Sequence, residues 1–332
     1  MDEAQRRDYT RHFRVCGWSF SNRMLAVQAR IRGVEAAVKL PWRVSIVGFM
    51  ANPRVLQGDL EAVRDTFSVL TSDSFFDIIE VQPLPEEAWD VAKQIASGRG
   101  VEVALGLQPY VLTRGVNPSA LDEEVRRRSV AVIIEEVKKA GEKGVTKVAF
   151  CSGPDPGPAD RGAAMDALVK SLKEVSAAAQ KLGVTVILET FDRDWDRRQL
   201  IGPIEDAVRI AEQVREEYTN FGLLWDLSHG PLLNETPSAL KAARDYLVHV
   251  HIGCAKRLPD GRLVDWHPGF YRPGAINGVE DVRELLKVLL EIGYRGTIGF
   301  EVKPEEGQHW LEPVMSAKGV LYTAFSQLLE SL

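Results

Sequence analysis

Four consecutive apolar segments in the second half of the chain each end on a residue that can bind a metal ion. These residues are Glu189, Asp226, His251 and Glu301. Three carboxylates in a partly buried pocket repel one another unless a cation lies among them. Zn²⁺ prefers more nitrogen or sulfur than this set offers, so Mn²⁺, Co²⁺ and Mg²⁺ suit it better. The pattern predicts one divalent metal site with Mn²⁺ as the first choice, and Zn²⁺ stays an alternative.

Two histidines lie close together on one of these segments, in the run Val-His249-Val-His251-Ile. Side chains two residues apart on a strand point to the same face. Because His251 is nearer the end of the segment, we assign it as the ligand and expect His249 to be a core histidine one layer deeper. Glu80 and Gln108 end two earlier segments and are expected on the far side of the site, with Gln108 as a substrate-binding candidate.

Polar residues in the following loops are further candidates for binding a substrate. Asp265 and His267 form an Asp-x-His pair. This pair fits a second metal site or the binding of hydroxyl groups, and a turn built on aspartate and Pro-Gly explains it equally well. Lys303 lies two residues past Glu301 and is expected to face the same pocket. There it either binds an anionic or carbonyl oxygen or balances the carboxylates.

The segments that position these residues recur along most of the chain. Eight short apolar runs, rich in β-branched residues, alternate with helical patterns: Val44–Met50, Phe76–Val81, Val101–Leu107, Val145–Phe150, Val184–Glu189, Phe221–Asp226, Val248–Ile252 and Thr297–Val302. They do not alternate strictly, which is typical of strands buried on both faces. The repeat predicts an α/β fold, a (β/α)8 TIM barrel, with a doubly wound open sheet as the alternative. In such a barrel the active site lies at the C-terminal ends of the strands.

Residues 1–42 do not fit this repeat and are predicted to form an arginine-rich N-terminal extension, with the catalytic barrel spanning residues 43–332. The apolar positions within Met24–Val38 predict one amphipathic helix. We expect the extension to pack on the barrel or on a partner subunit; a basic docking arm is the alternative.

The composition excludes intrinsically disordered, collagen-like and disulfide-scaffold proteins. The chain has 332 residues, a net charge of −6 and 45% hydrophobic residues, as ordinary globular proteins do. No apolar run reaches the roughly 18 residues of a membrane helix, and the first residues lack the apolar core of a secretory signal. The widely spaced Cys16, Cys151 and Cys254 are expected to be reduced thiols in a cytoplasmic protein. The acidic balance argues against a nucleic-acid partner.

The sequence from Trp42 onward resembles the xylose-isomerase-like superfamily of metal-dependent TIM-barrel sugar isomerases and epimerases. The resemblance rests on Glu189, Asp226-x-x-His229, His249-x-His251 and Glu301. The ketose 3-epimerases are the nearest functional analogues. The resemblance implies a small carbohydrate substrate, one ion on the four ligands, and Glu189 and Glu301 as acid and base on opposite faces of the sugar. It also implies that His229 and Arg257 contact the substrate.

The sequence also departs from those epimerases. Their additional glutamate, six residues after the first ligand, is replaced here by Trp195. Asp265-x-His267 resembles the extra ligands of zinc apurinic endonucleases. Those enzymes also need early histidines, which are absent between His12 and His229, so a three-metal phosphodiesterase site is disfavoured.

Several functional hypotheses follow. The first is a divalent-metal-dependent sugar isomerase or epimerase that acts by proton transfer through a metal-stabilised enediolate. The alternative is a metal-dependent lyase or dehydratase on a keto-sugar, keto-inositol or oxidised glycoside, with His267 or Lys303 assisting the leaving group. A nucleic-acid hydrolase and a sugar-binding barrel without chemistry are disfavoured. Assembly into a homo-oligomer stays open.

Overall fold

The computed structural model describes residues 11–15, 18–22, 26–31, 33–72 and 74–331. Two antiparallel hairpins come first: β1 (Arg11–Val15) pairs with β2 (Trp18–Asn22), and β3 (Ala26–Ile31) pairs with β4 (Val34–Lys39). Cys16, Met24 and Leu25, on which parts of the predictions rest, lie outside the described residues.

Eight parallel strands then close into a barrel, which confirms the predicted fold class. These strands are β5 (Arg43–Val47), β6 (Ile78–Val81), β7 (Glu102–Gly106), β8 (Lys147–Cys151), β9 (Thr185–Glu189), β10 (Phe221–Asp226), β11 (Leu247–Ile252) and, last, β14 (Thr297–Phe300). The minor strands β12 (Lys256–Arg257) and β13 (Leu263–Val264) form a short hairpin in the loop that follows β11. Every barrel strand pairs with its neighbours in chain order, so the ring contains no crossover between distant strands.

Helices surround the barrel and connect its strands. They are α1 (Gly48–Ala51), α2 (Pro53–Leu56), α3 (Leu60–Leu70), α4 (Glu86–Arg99), α5 (Gln108–Thr113), α6 (Glu123–Glu142), α7 (Arg161–Gln180), α8 (Ile204–Arg215), α9 (Gly230–Leu233), α10 (Val279–Glu291) and α11 (Leu311–Glu330). A 3-10 turn spans Pro237–Lys241. Within the described residues, no helix combines the length and the apolar character that crossing a membrane requires.

The prediction of one helix over Met24–Val38 is wrong, because its described part is the β3–β4 hairpin. Gly33 has a φ of +84° and supplies the turn. Val27, Ala29 and Ile31 alternate along β3, and Ala29 is buried in the core. The apolar face of β3 packs on α11, so this part of the extension contacts the barrel's outer layer, as expected. An alternating pattern this short also contains helical spacings, which explains the error.

Strand register brings the predicted ligands to one level of the barrel. Asp226 pairs with His251, and Glu189 pairs with Leu224, which is two residues before Asp226. Glu301 directly follows the last residue of β14. The four predicted ligands therefore meet at the C-terminal rim, where the sequence analysis places the active site.

Candidate active site

The predicted metal ligands Glu189, Asp226, His251 and Glu301 converge at the C-terminal end of the barrel. Each offers one ligand atom, and these atoms all lie within 4.8 Å of one another. His251 Nδ1 lies 2.8 Å from Glu301 Oε2, 3.8 Å from Asp226 Oδ2 and 3.9 Å from Glu189 Oε1. Glu189, Asp226 and His251 are buried, whereas Glu301 is half-buried. The arrangement therefore opens toward solvent on the side of Glu301.

The two deepest carboxylates each use one oxygen for a hydrogen bond and leave the other free. Gln108 Nε2 donates to Glu189 Oε2 over 2.6 Å, and the backbone N–H of Ser228 donates to Asp226 Oδ1 over 2.7 Å. Glu189 Oε1 and Asp226 Oδ2 are buried and have no hydrogen-bond partner among the described residues. Buried polar atoms are rarely left unsatisfied. Two free oxygens that face a shared centre therefore fit a bound cation.

A buried carboxylate beneath the centre orients His251. Glu80 Oε2 lies 3.2 Å from His251 Nε2, and Glu80 Oε1 lies 3.0 Å from His249 Nε2 and accepts a 2.6 Å bond from Ser45 Oγ. A carboxylate on one ring nitrogen fixes the ring and leaves the lone pair on the other nitrogen for a metal. Among the residues that the structure describes, His251 Nδ1 has no aligned hydrogen-bond partner, although it lies 2.8 Å from Glu301 Oε2. His249 lies one layer deeper.

The two glutamates at the centre have opposite protonation preferences. Burial and the neighbouring charge of Glu301 raise the pKa of Glu189 to about 8. Burial acts the same way on Glu301, but the positive charges of His267 and His251 outweigh it and lower the pKa of Glu301 to about 2. Two carboxyl groups whose environments separate their pKa values are suited to act as acid and base.

Asp265 organises a second buried cluster beside the centre. Its Oδ1 lies 2.6 Å from His267 Nε2 and 3.3 Å from His229 Nε2, and its Oδ2 accepts a 2.9 Å bond from Arg197 Nε. His229 Nδ1 donates to the carbonyl oxygen of Thr190 over 2.8 Å. Burial opposes ionisation of His229, yet the charge of Asp265 raises the pKa of this imidazole to about 10.

His267 links this cluster to the four ligands. Its Nε2 lies 3.7 Å from Glu301 Oε1, and its Nδ1 lies 3.8 Å from Asp226 Oδ2. Although burial acts in the opposite direction, the charges of Glu301 and Asp265 raise the pKa of His267 to about 9. Atoms of Asp226, His229 and His267 also fall within 4.8 Å of one another. This second set can bind a metal ion or, with protonated imidazoles, donate hydrogen bonds.

A cavity of about 90 Å³ opens from the centre. Its polar side includes Gln108, Asp265 and His267 from the predicted substrate-binding residues. The opposite wall is apolar and contains Val47, Phe49, Met50, Leu112 and Phe191. A larger groove of about 840 Å³ beside Trp89 contains none of these site residues.

The structure does not bring Arg257 to this cavity. Arg257 lies on β12, where pairing with Leu263 of β13 leaves the side chain exposed, and its Nη1 donates to the carbonyl oxygen of Gly261 over 3.3 Å. Lys303 does not line the cavity either, and its Nζ lies 3.5 Å from the ring centre of Trp266. Burial lowers the pKa of Lys303 below its ordinary value.

Arg197 lines the cavity and was missed by the sequence analysis. It lies in the loop after β9, where the carboxylate of Asp192 accepts hydrogen bonds from the backbone N–H groups of Trp195, Asp196 and Arg197 over 2.7–2.9 Å. An aspartate three residues before a tryptophan is a weak signal of such a turn. The conformation of the folded loop sets the direction of the Arg197 side chain.

A family model described as xylose isomerase-like TIM barrel matches residues 65–318. Several solved structures share the fold. One is D-psicose 3-epimerase with D-tagatose from Clostridium cellulolyticum H10, with 19% identity, a TM-score of 0.62, and coverage of 87% of this chain and 99% of that one. Another is L-ribulose 3-epimerase, with 21% identity, a TM-score of 0.63, and coverage of 87% and 94%.

A third structure, of the IOLI protein with a binding zinc atom, has 18% identity and a TM-score of 0.65. The match covers 86% of this chain and 99% of that chain. At these identities the likeness shows a shared fold.

Proposed function

The chain belongs to the xylose isomerase-like TIM barrel family, and from this premise we propose that it is a divalent-metal-dependent sugar isomerase or epimerase. One observation carries the proposal: Glu189 and Glu301 lie together at one centre, beside the free buried oxygens Glu189 Oε1 and Asp226 Oδ2. The names of two structural neighbours, which are sugar epimerases, support the substrate class.

We propose that Glu189, Asp226, His251 and Glu301 hold one ion, with Mn²⁺ as first choice because the set has three carboxylates and one nitrogen. Co²⁺, Mg²⁺ and Zn²⁺ are the alternatives. A bound divalent ion polarises a carbonyl group of the substrate and makes the hydrogen on the neighbouring carbon more acidic.

The residues of the chain then supply the proton transfers. Glu301 removes a proton from the carbon next to the carbonyl group. Glu189 supplies a proton from the other side of the centre, and Gln108 holds its carboxyl group so that Oε1 faces inward. The apolar wall around Phe49 limits access of water to the reacting carbon. A proton that Glu189 delivers to the opposite face of that carbon inverts it. Isomerisation instead places the proton on the former carbonyl carbon, while the proton of the neighbouring hydroxyl group moves to the former carbonyl oxygen.

Solvent-deuterium incorporation tests this proposal. Protein loaded with Mn²⁺ is incubated in D₂O with a panel of ketoses and oxidised sugars, and the products are analysed by NMR. Glu301→Gln and Glu189→Gln are expected to lower the exchange rate about 10²–10⁴-fold, the usual loss when an acid–base group is removed. Glu235→Gln is the matched control, since Glu235 is half-buried outside the centre, where it accepts a hydrogen bond from Trp225 Nε1. Absence of exchange with every sugar would contradict the proposal.

One observation favours a lyase as the second candidate: the imidazole of His267 lies beside Glu301, with Nε2 3.7 Å from Glu301 Oε1. In that reaction Glu301 takes the proton from carbon, the electron pair forms a C=C bond, and the C–O bond on the next carbon breaks. The leaving oxygen takes the proton of His267. His267→Asn would then stop the elimination of water or alcohol, while deuterium exchange continues. Mass spectrometry of the products measures the elimination. Turnover by the unmodified protein without any elimination would exclude the lyase.

Location and assembly are also proposals. We propose a cytoplasmic protein, supported by the free, buried thiols of Cys151 and Cys254. We propose that it acts on small carbohydrates. Light scattering on the full chain and on a variant that begins at Leu40, and so retains the buried Trp42, tests whether the chain forms a homo-oligomer through the extension. An unchanged mass would exclude a subunit contact made by the extension.

A further inference from the structure

The segment Asp265–Trp266–His267 runs from the buried site to the surface. Asp265 and His267 are 3% and 2% exposed, whereas Trp266 between them is 44% exposed. Because Asp265 and His267 line the cavity, the segment joins the cavity wall to the surface at Trp266. We call this surface around Trp266 the mouth, and two cationic side chains lie against the segment.

The first cation is Arg197, which approaches the segment from the loop after β9. Its Nε donates to Asp265 Oδ2 over 2.9 Å, and its Nη2 donates to the carbonyl oxygen of Asp265 over 3.1 Å. Nη1 donates no hydrogen bond to any residue that the structure describes, although the side chain lines the cavity. One side of the guanidinium is thus fixed, and its remaining donors are available to a ligand.

The second cation is Lys303, which approaches the segment from the end of β14. Its backbone N–H donates to the carbonyl oxygen of His267 over 2.7 Å, and its Nζ lies over the ring of Trp266. Within the described part of the chain, Lys303 has no ion pair with a carboxylate. Lys256, 6.0 Å from the same ring, is different because it is paired with Glu305.

The size of the cavity places part of a sugar beside these cations. Its volume of about 90 Å³ is well below the roughly 300 Å³ of pockets that enclose whole ligands. A sugar whose carbonyl end reaches Glu189 and Glu301 must therefore extend toward the mouth. Two cations with free donors at that position suit a negatively charged oxygen group.

We propose that Arg197 and Lys303 form an anion subsite at the mouth, and that the substrate is a sugar with a terminal carboxylate or phosphate. The proposal rests on the proposed function, since it assigns a substrate class to the same site. Trp266 supports Lys303 by a cation–π contact and holds its ammonium group at the mouth.

Calorimetric binding to the Mn²⁺-loaded protein tests the subsite with three matched probes. They are D-fructose, its phosphate ester at the hydroxymethyl carbon farther from the carbonyl group, and D-fructuronate, which has a carboxylate at that same carbon. We expect at least one acidic probe to bind about tenfold or more tightly than D-fructose, because a charge-assisted hydrogen bond has roughly that effect. The acidic probe that binds better distinguishes phosphate from carboxylate.

Variants at the two lysines separate a direct contact from a structural effect. Lys303→Met is expected to lower the affinity for the acidic probe about tenfold and to leave that for D-fructose unchanged, whereas Lys303→Arg retains the preference. Lys256→Met, the matched control, is expected to leave all three affinities unchanged. Equal binding of all three probes, or an equal loss for all three in Lys303→Met, would overturn the subsite.

Deuterium exchange with the same probes shows which of the two proposals fails. Exchange with no preference for acidic sugars overturns the anion subsite and leaves the isomerase or epimerase function intact. Tight, Lys303-dependent binding of an acidic probe without exchange overturns the isomerase or epimerase function and leaves the anion subsite intact.

Discussion

Glu189, Asp226 and His251 are each held by one neighbour and each present one free atom. Glu80 has this holding role for His251, since it lies 3.2 Å from the nitrogen that faces away from the other ligands. Ser45 and His249 in turn hold Glu80. The direction of the free Nδ1 lone pair is therefore set by a buried chain of hydrogen bonds that begins beneath the centre.

Glu80→Gln is predicted to weaken Mn²⁺ binding about 10–100-fold, the usual loss when a group that orients a ligand is changed. The amide cannot accept bonds from both histidines as the carboxylate does. Calorimetric titration measures the affinity. Asp77→Asn is the control, because Asp77 precedes the same strand at its other end and accepts a bond from the backbone N–H of Val44. Equal losses in both variants would assign Glu80 a general role in stability.

The ion pair of His229 and Asp265 predicts a pH dependence of stability in the metal-free protein. The pKa of His229 in the folded state is about 10, above the roughly 6.5 of an unfolded histidine. The pair therefore stabilises the fold fully below about pH 6.5, and this contribution is lost as pH rises toward 10. Chemical unfolding between pH 6 and 10 measures it.

Asp265→Asn removes the partner carboxylate and is expected to flatten this dependence, with lower stability at pH 6 and little change at high pH. Asp260→Asn is the control, since Asp260 is exposed and pairs only with Arg262. A steep decline that persists in Asp265→Asn would show that other groups cause it.

At the scale of elements, the buried strands were predictable and the exposed hairpin was not. The barrel strands are apolar on both faces, so they stand out in the sequence whatever their register. The β3–β4 hairpin is apolar on one face only and has six residues in each strand, which is too short to distinguish an alternating from a helical pattern.

Site residues in loops were harder to predict from the sequence than site residues at strand ends. Residues at strand ends, such as Glu189 and Glu301, are positioned by the barrel, and their convergence follows from the fold. Arg197 and Arg257 lie in loops, where local hydrogen bonds set the direction of the side chain. The sequence favoured Arg257 by resemblance and missed Arg197, because the turn around Asp192 is determined by backbone N–H groups and not by a residue pattern.

The contact between the β3–β4 hairpin and α11 gives a prediction at this scale. Ala29→Asp is expected to lower the free energy of unfolding by about 1–3 kcal/mol, because Ala29 is buried and the new carboxylate would have no partner. Val34→Asp on the other strand is the control, since Val34 is 67% exposed and should change stability by less than about 0.5 kcal/mol. Denaturant unfolding compares them, and similar effects would contradict the packing of β3 on the barrel.

For the molecule as a whole, the free buried atoms that face a shared centre lie at the C-terminal end of the barrel. At the N-terminal end, Trp42 Nε1 donates to the carbonyl oxygen of Tyr294, and Lys147 Nζ donates to Thr297 Oγ1. At the C-terminal end, free buried atoms include Glu189 Oε1 and Asp226 Oδ2. The N-terminal end stabilises the barrel, while the C-terminal end retains unfavourable groups that are useful only with a cation.

This difference predicts that the free polar groups and the repelling carboxylates at the centre lower the free energy of unfolding of the metal-free protein. An ion that binds only the folded state at 100 times its Kd adds about 2.7 kcal/mol. Mn²⁺ should therefore raise the thermal midpoint of the unmodified protein, measured by calorimetry after treatment with EDTA and again after addition of the ion.

Asp226→Asn separates the ion's effect from the repulsion that it relieves. Burial raises the pKa of Asp226, which means that the ionised form is costly in the folded protein. Removing this charge should leave the metal-free variant at least as stable as the metal-free parent, although a predicted ligand is lost. The same variant should gain no stability from Mn²⁺, because its amide is a poor ligand. A variant that is less stable without metal, yet still stabilised by Mn²⁺, would show that the charge of Asp226 serves the fold and not the ion.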